Sequence, residues 1–281
     1  MSDIEMEDWA GEVGDRWLNH IDQFESMIGP IGAALLAKAA FRPGERVVDV
    51  GCGGGLTTLE IARALGPDGA VTGIDIAPQL IALANARRDA AGLANCTFQC
   101  ADGQTAMAEG APFDRLTSRF GVMFFADSEA AFTNMRGWLK PGGQAVFACW
   151  APPQDNPWLG VVGATIGQFV DVPQRDPAGP GPFRFGDAEA TGAMLRAAGW
   201  AEVDFQPHRA DQALGGSGAG LDGAIDFVLD AMGMRGALAA AGPDVPDRAR
   251  AALAEVLAPY LRDESVMMPG ACWFVTARNP G

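Results

Sequence analysis

The sequence is poor in positive charge. It has 20 lysine and arginine residues against 35 aspartate and glutamate residues, a net charge of -15 at pH 7 over 281 residues. The only lysines are Lys38 and Lys140. The averaged field of such a chain repels phosphate backbones and anionic membrane surfaces. We therefore expect no nucleic-acid partner.

Long apolar runs and a basic leader are missing as well. A membrane-spanning helix needs about 18 consecutive apolar residues, and the apolar segment 31–40 is short and contains Lys38. A secretion signal begins with positive charge, whereas this chain begins with carboxylates. Those before position 16 are Asp3, Glu5, Glu7, Asp8, Glu12 and Asp15. The sequence predicts a cytoplasmic protein without a membrane span.

The cysteines form no recognisable framework. There are five, an odd number, and none are spaced as C-x-x-C, so the pattern favours reduced thiols over disulfides or zinc. Cys96 and Cys100 lie in a strand-like run, and we expect both to be core residues on one strand face. No metal site is predicted.

What the sequence does contain is an alternation of strand-like and helix-like segments from residue 42 onward. This alternation is typical of parallel βαβ units with right-handed crossovers. The predicted strands are 46–50, 70–74, 96–100, 113–118, 144–150, 201–206 and 271–277, and the main predicted helices are 56–65, 77–91, 128–139 and 187–198. We expect an α/β fold with a doubly wound, seven-stranded, mostly parallel, Rossmann-like sheet.

The segments outside this alternation differ in composition. The N-terminal stretch carries Trp9, Trp17 and Phe24 and needs a surface to pack against. Residues 151–200 begin with a proline-rich stretch that indicates an insertion or lid, with prolines at Pro152, Pro153, Pro157, Pro173, Pro177, Pro180 and Pro182. A flexible glycine-rich turn at 215–218 precedes two predicted alanine-rich helices.

A glycine turn after the first strand is the most informative feature. The strand 47–50 runs into glycines at 51, 53, 54 and 55, a helix follows, and Asp75 comes about twenty residues later. An acid in that position can accept hydrogen bonds from ribose hydroxyls. A dinucleotide turn would have a third small residue where Leu56 stands, and a phosphate loop would end in Gly-Lys-Ser/Thr. We therefore expect a ligand with a ribose but no pyrophosphate.

Four motifs in this order resemble those of the class I S-adenosylmethionine-dependent methyltransferases. They are VDVGCGGG at 48–55, GIDI at 73–76, CADG at 100–103 and LKPGG at 139–143. The parts outside these motifs are similar to small-molecule enzymes of the ubiquinone/menaquinone type. The resemblance implies a division into an N-terminal helical cap (1–40), an S-adenosylmethionine-binding core (41–150), an insertion or lid with a helix (151–200), and C-terminal strands with inserted helices (201–281).

The resemblance also implies roles at the methionyl end of the cofactor. Gly51 and Gly53 would let the methionine moiety lie against the backbone. Asp49 would orient its ammonium group, directly or through water. The carbonyl of Ser118, at the end of the fourth strand, would lie near the same group.

At the nucleoside end the resemblance implies a second set of residues. Asp75 would hold the ribose hydroxyls, and Ile76 would pack on the adenine face. Asp102 would accept from the adenine amino group, with the backbone of Gly103 nearby. Each acid has a plainer alternative as a turn or helix cap, which we favour for Asp127 but not for Asp75 or Asp102.

A sulfonium ion is attracted by aromatic faces. Trp17 and Phe120 are the aromatic residues that we place at the cofactor, and Phe124 and Trp158 are further candidates. Core packing is an alternative for all four, and for Phe124 it is the favoured one.

Methyl transfer is an in-line displacement that needs alignment, the exclusion of water and, for some acceptors, a general base. His20 is the leading candidate for that base because it lies in the N-terminal segment beside Asp22 and Glu25. Arg119 follows the fourth strand, where it could pair with an acidic substrate group. A solvated histidine and a structural arginine are the alternatives.

The function predicted on these grounds is transfer of a methyl group from S-adenosylmethionine to a small-molecule acceptor, at oxygen, nitrogen or carbon. A non-catalytic S-adenosylmethionine-binding module is the alternative. A nicotinamide-dependent oxidoreductase is disfavoured, because Tyr260 is followed four residues later by Glu264 instead of lysine. Asn156-Pro157-Trp158 resembles the motif of base-amino methyltransferases but follows the fifth strand, not the fourth.

Overall fold

The computed structural model describes residues 8–172, 176 and 179–281. Five residues that the sequence analysis singled out lie outside the described residues: Asp3, Glu5, Glu7, Pro173 and Pro177.

The described chain alternates strands and helices as the sequence predicts. The strands are β1 Arg46–Val50, β2 Ala70–Asp75, β3 Cys96–Cys100, β4 Phe113–Arg119, β5 Leu139–Trp150, β6 Ala201–Leu214, β7 Leu261–Arg262 and β8 Ser265–Arg278. The helices are α1 Glu12–Asn19, α2 Ile21–Ala39, α3 Leu56–Leu65, α4 Pro78–Ala91, α5 Ser128–Gly137, α6 Pro157–Ile166, α7 Ala188–Ala197, α8 Gly220–Ala231, α9 Arg235–Ala241 and α10 Val245–Leu257.

These strands form one sheet in the order β3-β2-β1-β4-β5-β8-β6, with the two-residue β7 paired to β8. The first five strands of that order are parallel, and β8 runs antiparallel to both of its neighbours. Val47, Val48 and Val50 of β1 are at most 2% exposed, which is typical of a parallel strand covered on both faces. The prediction of a doubly wound, mostly parallel, Rossmann-like sheet is confirmed.

The antiparallel strands are longer than predicted. The predicted strand 201–206 continues to Leu214, and the predicted strand 271–277 begins at Ser265. Proline caused both errors, because Pro207 and Pro269 interrupt the strand pattern in the sequence. The strand β6 lies at the edge of the sheet, where a residue without a backbone N–H is tolerated.

Three further local predictions were wrong. Strand β5 begins at Leu139, before the predicted start at residue 144. Three helices, not two, follow the glycine-rich turn, because Gly233 and Gly242 separate α8, α9 and α10. Cys96 is buried as expected, but Cys100 is exposed at the end of the edge strand β3.

The N-terminal helices pack beside the carboxyl ends of the parallel strands. Helix α2 contributes Ile28, Ile31 and Leu35 to the main core, each at most 4% exposed. Helix α2 continues through Pro30 without a break.

Across the described ranges, no helix is both long and apolar enough to cross a membrane.

Candidate cofactor and acceptor site

The turn after β1 adopts backbone conformations that favour glycine. Gly51 and Gly53 have φ angles of 66° and 53°, in the left-handed region that side chains with a Cβ rarely adopt. The N–H groups of Gly51 and Cys52 donate to the carbonyl oxygen of Ile74 on β2, at 2.8 and 3.0 Å. The turn is thereby held at the carboxyl edge of the sheet and leads into α3.

Asp75, the last residue of β2, is hydrogen-bonded to this turn. Its Oδ2 accepts from the backbone N–H of Gly53 at 2.8 Å, and its Oδ1 accepts from the N–H of Ala77 at 2.9 Å. Burial raises the pKa of this carboxyl, and the two backbone donors oppose that effect. Asp75 therefore fixes the glycine turn as well as the start of α4.

Asp49 lies beneath the same turn and is 1% exposed. The hydroxyl of Thr58 donates to its Oδ2 at 2.6 Å. Burial raises the pKa of Asp49 to about 6, while the Thr58 hydrogen bond and the positive charge of Arg119 act in the opposite direction. A cation placed beside this carboxylate would be strongly attracted to it.

Asp102 follows β3 and caps the next turn of the chain. Its Oδ1 accepts from the N–H of Gln104 at 2.8 Å, and its Oδ2 lies 3.3 Å from the Thr105 hydroxyl. Both Asp75 and Asp102 thus make the capping contacts that the sequence analysis did not favour. Asp127 caps α5 as predicted, because its side chain accepts from the N–H of Ala130 at 2.9 Å.

The chain turns sharply after β4. Phe120 has a φ of 65°, a strained value for a residue that is not glycine. Its ring stacks on that of Trp150, with centroids 4.1 Å apart and an interplanar angle of 13°. Stacking of these two rings offsets the backbone strain and fixes Phe120 at the end of the strand.

These features surround one cavity of about 530 Å³. Its wall includes most of the residues that the sequence analysis placed at a cofactor. At the carboxyl ends of β1 and β2 they are Asp49, Gly51, Gly53, Asp75 and Ile76. On the other sides they are Trp17, Asp102, Gly103, Arg119 and Phe120.

Two predicted site residues do not line this cavity. Ser118 is fully buried, and its hydroxyl accepts from the N–H of Gly121 at 3.2 Å. His20 lies between α1 and α2, where Nδ1 is 2.8 Å from Oε1 of Gln23 and the ring meets Phe227 edge to face. The structure does not bring this histidine to the cavity.

Aromatic rings form much of the remaining wall, and several were not predicted at the site. Trp9 contacts Phe124 at a centroid distance of 4.8 Å. Trp17 stacks on Phe24 at 3.9 Å. The N-terminal aromatic residues were visible in the sequence as a group that needs a partner surface, and that surface is the cavity wall.

An ion pair that was not predicted from the sequence joins the N-terminal helices to the glycine turn. Arg87 of α4 donates to both carboxylate oxygens of Glu25 of α2, at 2.7 and 3.0 Å, and to the carbonyl oxygen of Gly54 at 3.0 Å. Such bidentate pairs are among the stronger hydrogen-bonded contacts in proteins. The separation of 62 positions between the partners gives no local signal.

Asn156 has a structural role in this fold. It is fully buried, its amide donates to the carbonyl oxygens of Ala151 and Ala271, and its Oδ1 accepts from the N–H of Ala271 at 3.0 Å. These bonds fix the start of α6, which places Trp158 at the cavity.

Among the described residues, no group of three or more His, Cys, Asp or Glu side chains is arranged to hold a metal.

Comparison with known proteins identifies methyltransferases as relatives of this chain, in agreement with the geometry of the site. The sequence profile of a methyltransferase domain matches residues 47–143. The chain is 30% identical over 171 residues to demethylmenaquinone methyltransferase of Thermus thermophilus, covering 56% of this chain and 74% of that protein. It is also 30% identical over 183 residues to nocamycin O-methyltransferase of Saccharothrix syringae, covering 62% of this chain and 65%, just under two thirds, of that protein.

The fold is similar to that of solved structures. The YcgJ protein of Bacillus subtilis superposes with a TM-score of 0.58 at 18% identity, covering 89% of this chain and 98% of that one. The fold, the glycine turn with its carboxylates and the sequence relatives together assign the chain to the class I S-adenosylmethionine-dependent methyltransferases. The names of these relatives give different substrates. The menaquinone type is therefore one of several small-molecule branches of the family to which this chain is similar.

Proposed function

We propose that this protein transfers the methyl group of S-adenosylmethionine to a small-molecule acceptor. The observation that carries the proposal is that one cavity joins the glycine turn and its carboxylates to a compartment walled by aromatic rings. Its volume of about 530 Å³ lies within the usual range for small-molecule sites. The relatives named as methyltransferases of nocamycin and demethylmenaquinone support an acceptor of this size class.

The residues present fit the cofactor. A Cβ built on Gly53 would meet only the indole nitrogen of Trp17, at 4.0 Å, so a ligand can approach this backbone closely. Gly51 and Gly53 would bear the methionyl moiety, and Asp49 would bind its ammonium group. Asp75 and Asp102 would bind the ribose hydroxyls and the adenine amino group, with Ile76 and Gly103 beside the base.

When bound, S-adenosylmethionine supplies a methyl group on a positively charged sulfur. The protein contributes alignment of the acceptor and removal of water, which are the main requirements of an in-line displacement. Trp17 and Phe120 would present aromatic faces to the positive charge, each contact contributing about 0.5 to 2 kcal/mol. No base is assigned to His20, because its ring lies away from the cavity.

We propose a separate role for each of four segments of the chain. We assign residues 1–40 to a cap and residues 41–150 to the cofactor-binding core. We assign residues 151–200, of which Trp158 and Pro182 line the cavity, to an insertion or lid with a helix, and residues 201–281 to the C-terminal strands with inserted helices.

Calorimetry with S-adenosylmethionine, S-adenosylhomocysteine and NAD(H) tests the cofactor assignment. We expect the two adenosyl ligands to bind with micromolar or tighter affinity, and binding of NAD(H) alone would overturn the proposal. A screen of acceptors with a radiolabelled methyl donor then tests catalysis. Tight cofactor binding with no transfer to any acceptor class would favour the non-catalytic alternative.

A further inference from the structure

Arg119 is the one cation among the described residues that line the cavity. Its guanidinium makes no hydrogen bond or ion pair within the part of the chain that the structure describes. Burial lowers its pKa from the ordinary value, and the negative charges of Asp49, Glu25 and Glu60 act in the opposite direction. A partly buried guanidinium with five free N–H donors is costly unless it is paired.

The nearby carboxylates already have other partners. Asp49 accepts from Thr58 at 2.6 Å, and Glu25 is paired with Arg87 at 2.7 Å. Neither lies within ion-pair distance of Arg119. The cation is therefore held in a negative surrounding without being neutralised by contact, which leaves its donors available to a ligand.

The fold makes specific room for this side chain. Gly32 of α2 is buried against it, and a Cβ built on Gly32 would lie 2.9 Å from Nη1 of Arg119 and 3.2 Å from its Cδ. The side chain thus extends along α2 at the cavity wall. The next residue in the chain, Phe120, turns its ring onto Trp150 in the aromatic compartment.

We propose that Arg119 binds a carboxylate inside this cavity and thereby selects an acidic, flat, apolar acceptor. The inference rests on the proposed function. An arginine fork matches the two oxygens of a carboxylate, and the adjacent stacked rings suit an aromatic body attached to it. The methionyl carboxylate of the cofactor carries the same chemistry, so the test separates the two sources.

The test compares the intact protein with Arg119→Met, which removes the charge but keeps an apolar stem, and with Arg119→Lys, which keeps the charge. The matched control is Arg115→Met. Arg115 lies on the same strand, contacts Glu45 and Gln144, and does not line the cavity. Thermal unfolding establishes that each variant is folded.

Two ligand pairs are measured by calorimetry. The acceptor pair is 2-naphthoate and the uncharged 2-naphthamide, each with and without saturating S-adenosylhomocysteine. The cofactor pair is S-adenosylhomocysteine and 5′-(3-aminopropylthio)-5′-deoxyadenosine, which lacks only the carboxylate. A charge-assisted pair that is made in the cavity corresponds to a difference of about tenfold or more.

We expect the intact protein to bind 2-naphthoate about tenfold or more tightly than 2-naphthamide. We expect Arg119→Met to lose this preference and Arg115→Met to retain it. We expect Arg119→Lys to keep only part of it, because an ammonium group has the charge but cannot make the bidentate contact. If Arg119→Met instead weakens S-adenosylhomocysteine tenfold but leaves its decarboxylated analogue unaffected, the carboxylate belongs to the cofactor and the acidic acceptor is rejected. If neither pair shows a preference that depends on Arg119, the anion site itself is rejected.

These outcomes are distinct from failure of the proposed function. Binding of S-adenosylhomocysteine to the intact protein with no carboxylate preference rejects only the role of Arg119. Absence of S-adenosylhomocysteine binding rejects the proposed function, whichever naphthalene ligand binds.

Discussion

The backbones of Gly51 and Gly121 touch across the ends of β1 and β4. A Cβ built on Gly51 would lie 2.6 Å from the Cα of Gly121, and one built on Gly121 would lie 2.7 Å from the Cα of Gly51. Neither distance is possible without movement of the backbone. The glycine turn and the segment that carries Arg119 and Phe120 therefore position each other.

Gly121→Ala should disturb both segments at once. We expect it to lower the free energy of unfolding by about 1 to 3 kcal/mol through overpacking and to weaken S-adenosylhomocysteine binding. The matched control is Gly137→Ala at the end of α5, where an added Cβ meets nothing within 4 Å and should be neutral or stabilising by up to about 1 kcal/mol. Denaturant unfolding and calorimetry measure the two effects, and an unchanged dissociation constant in Gly121→Ala would contradict the mutual positioning.

Asp75→Ala should weaken binding of S-adenosylhomocysteine by about 1 to 3 kcal/mol through loss of charge-assisted hydrogen bonds. The substitution also leaves the N–H groups of Gly53 and Ala77 without their acceptor, so some loss of stability is expected. The two effects separate when the 2′-deoxyribose form of the ligand is used. If Asp75 only holds the turn, the substitution will weaken the ribose and deoxyribose ligands equally.

The raised pKa of Asp49 predicts a pH dependence of stability. The folded protein binds this proton with a pKa of about 6 against the ordinary value of 3.8, so between those values the folded state holds more protons than the unfolded state. The contribution of Asp49 to stability therefore falls as the pH rises from about 4 to about 6, by about 3 kcal/mol in total.

Asp49→Asn removes this dependence. We expect the variant to be more stable than the intact protein above pH 6, with the difference fading toward pH 4, in thermal unfolding measured across that range. Asp68→Asn, at an exposed loop position, makes the same charge change and should alter stability by less than about 0.5 kcal/mol. A constant difference at all pH values would show that the titration of Asp49 is not its cause.

Arg87→Gln should loosen the attachment of α2. It breaks a bidentate pair with Glu25, whose side chain is 12% exposed, and we expect a loss of about 1 to 3 kcal/mol in urea unfolding. Arg88→Gln is the neighbouring control, because its partner Asp89 is 68% exposed and such pairs contribute about 0 to 1 kcal/mol. Equal losses of unfolding free energy in the two variants would mean that the Arg87–Glu25 pair contributes no more to stability than an exposed ion pair does.

The parallel half of the sheet could be predicted because its signals are local. Val47, Val48 and Val50 are β-branched and apolar, with Asp49 the exception in this run, and the glycines that follow it fix the turn. The antiparallel half could not be delimited in the same way, since Pro207 and Pro269 are tolerated only because of where β6 and β8 pair. That pairing joins residues far apart in the chain.

The candidate site likewise contains residues that local sequence signals predict and residues whose positions depend on long-range packing. Gly51, Asp75 and Asp102 lie at strand ends, and their side of the sheet follows from the topology. His20 lies where α1 stops and α2 starts, so the direction of its ring depends on the angle between two helices that the sequence does not reveal. The Glu25–Arg87 pair and the proximity of Gly32 to Arg119 likewise depend on how α2 docks.

The position of β8 between β5 and β6 constrains the order in which the sheet is assembled. Among the residues that the structure describes, β6 pairs in the sheet only with β8, although β6 is synthesised more than fifty residues earlier. On the ribosome, β1 to β5 can pair with one another, whereas β6 stays unpaired until β8 has been synthesised. A nascent chain that stops short of β8 would thus leave open the two strand edges that β8 covers in the complete sheet, one on β5 and one on β6.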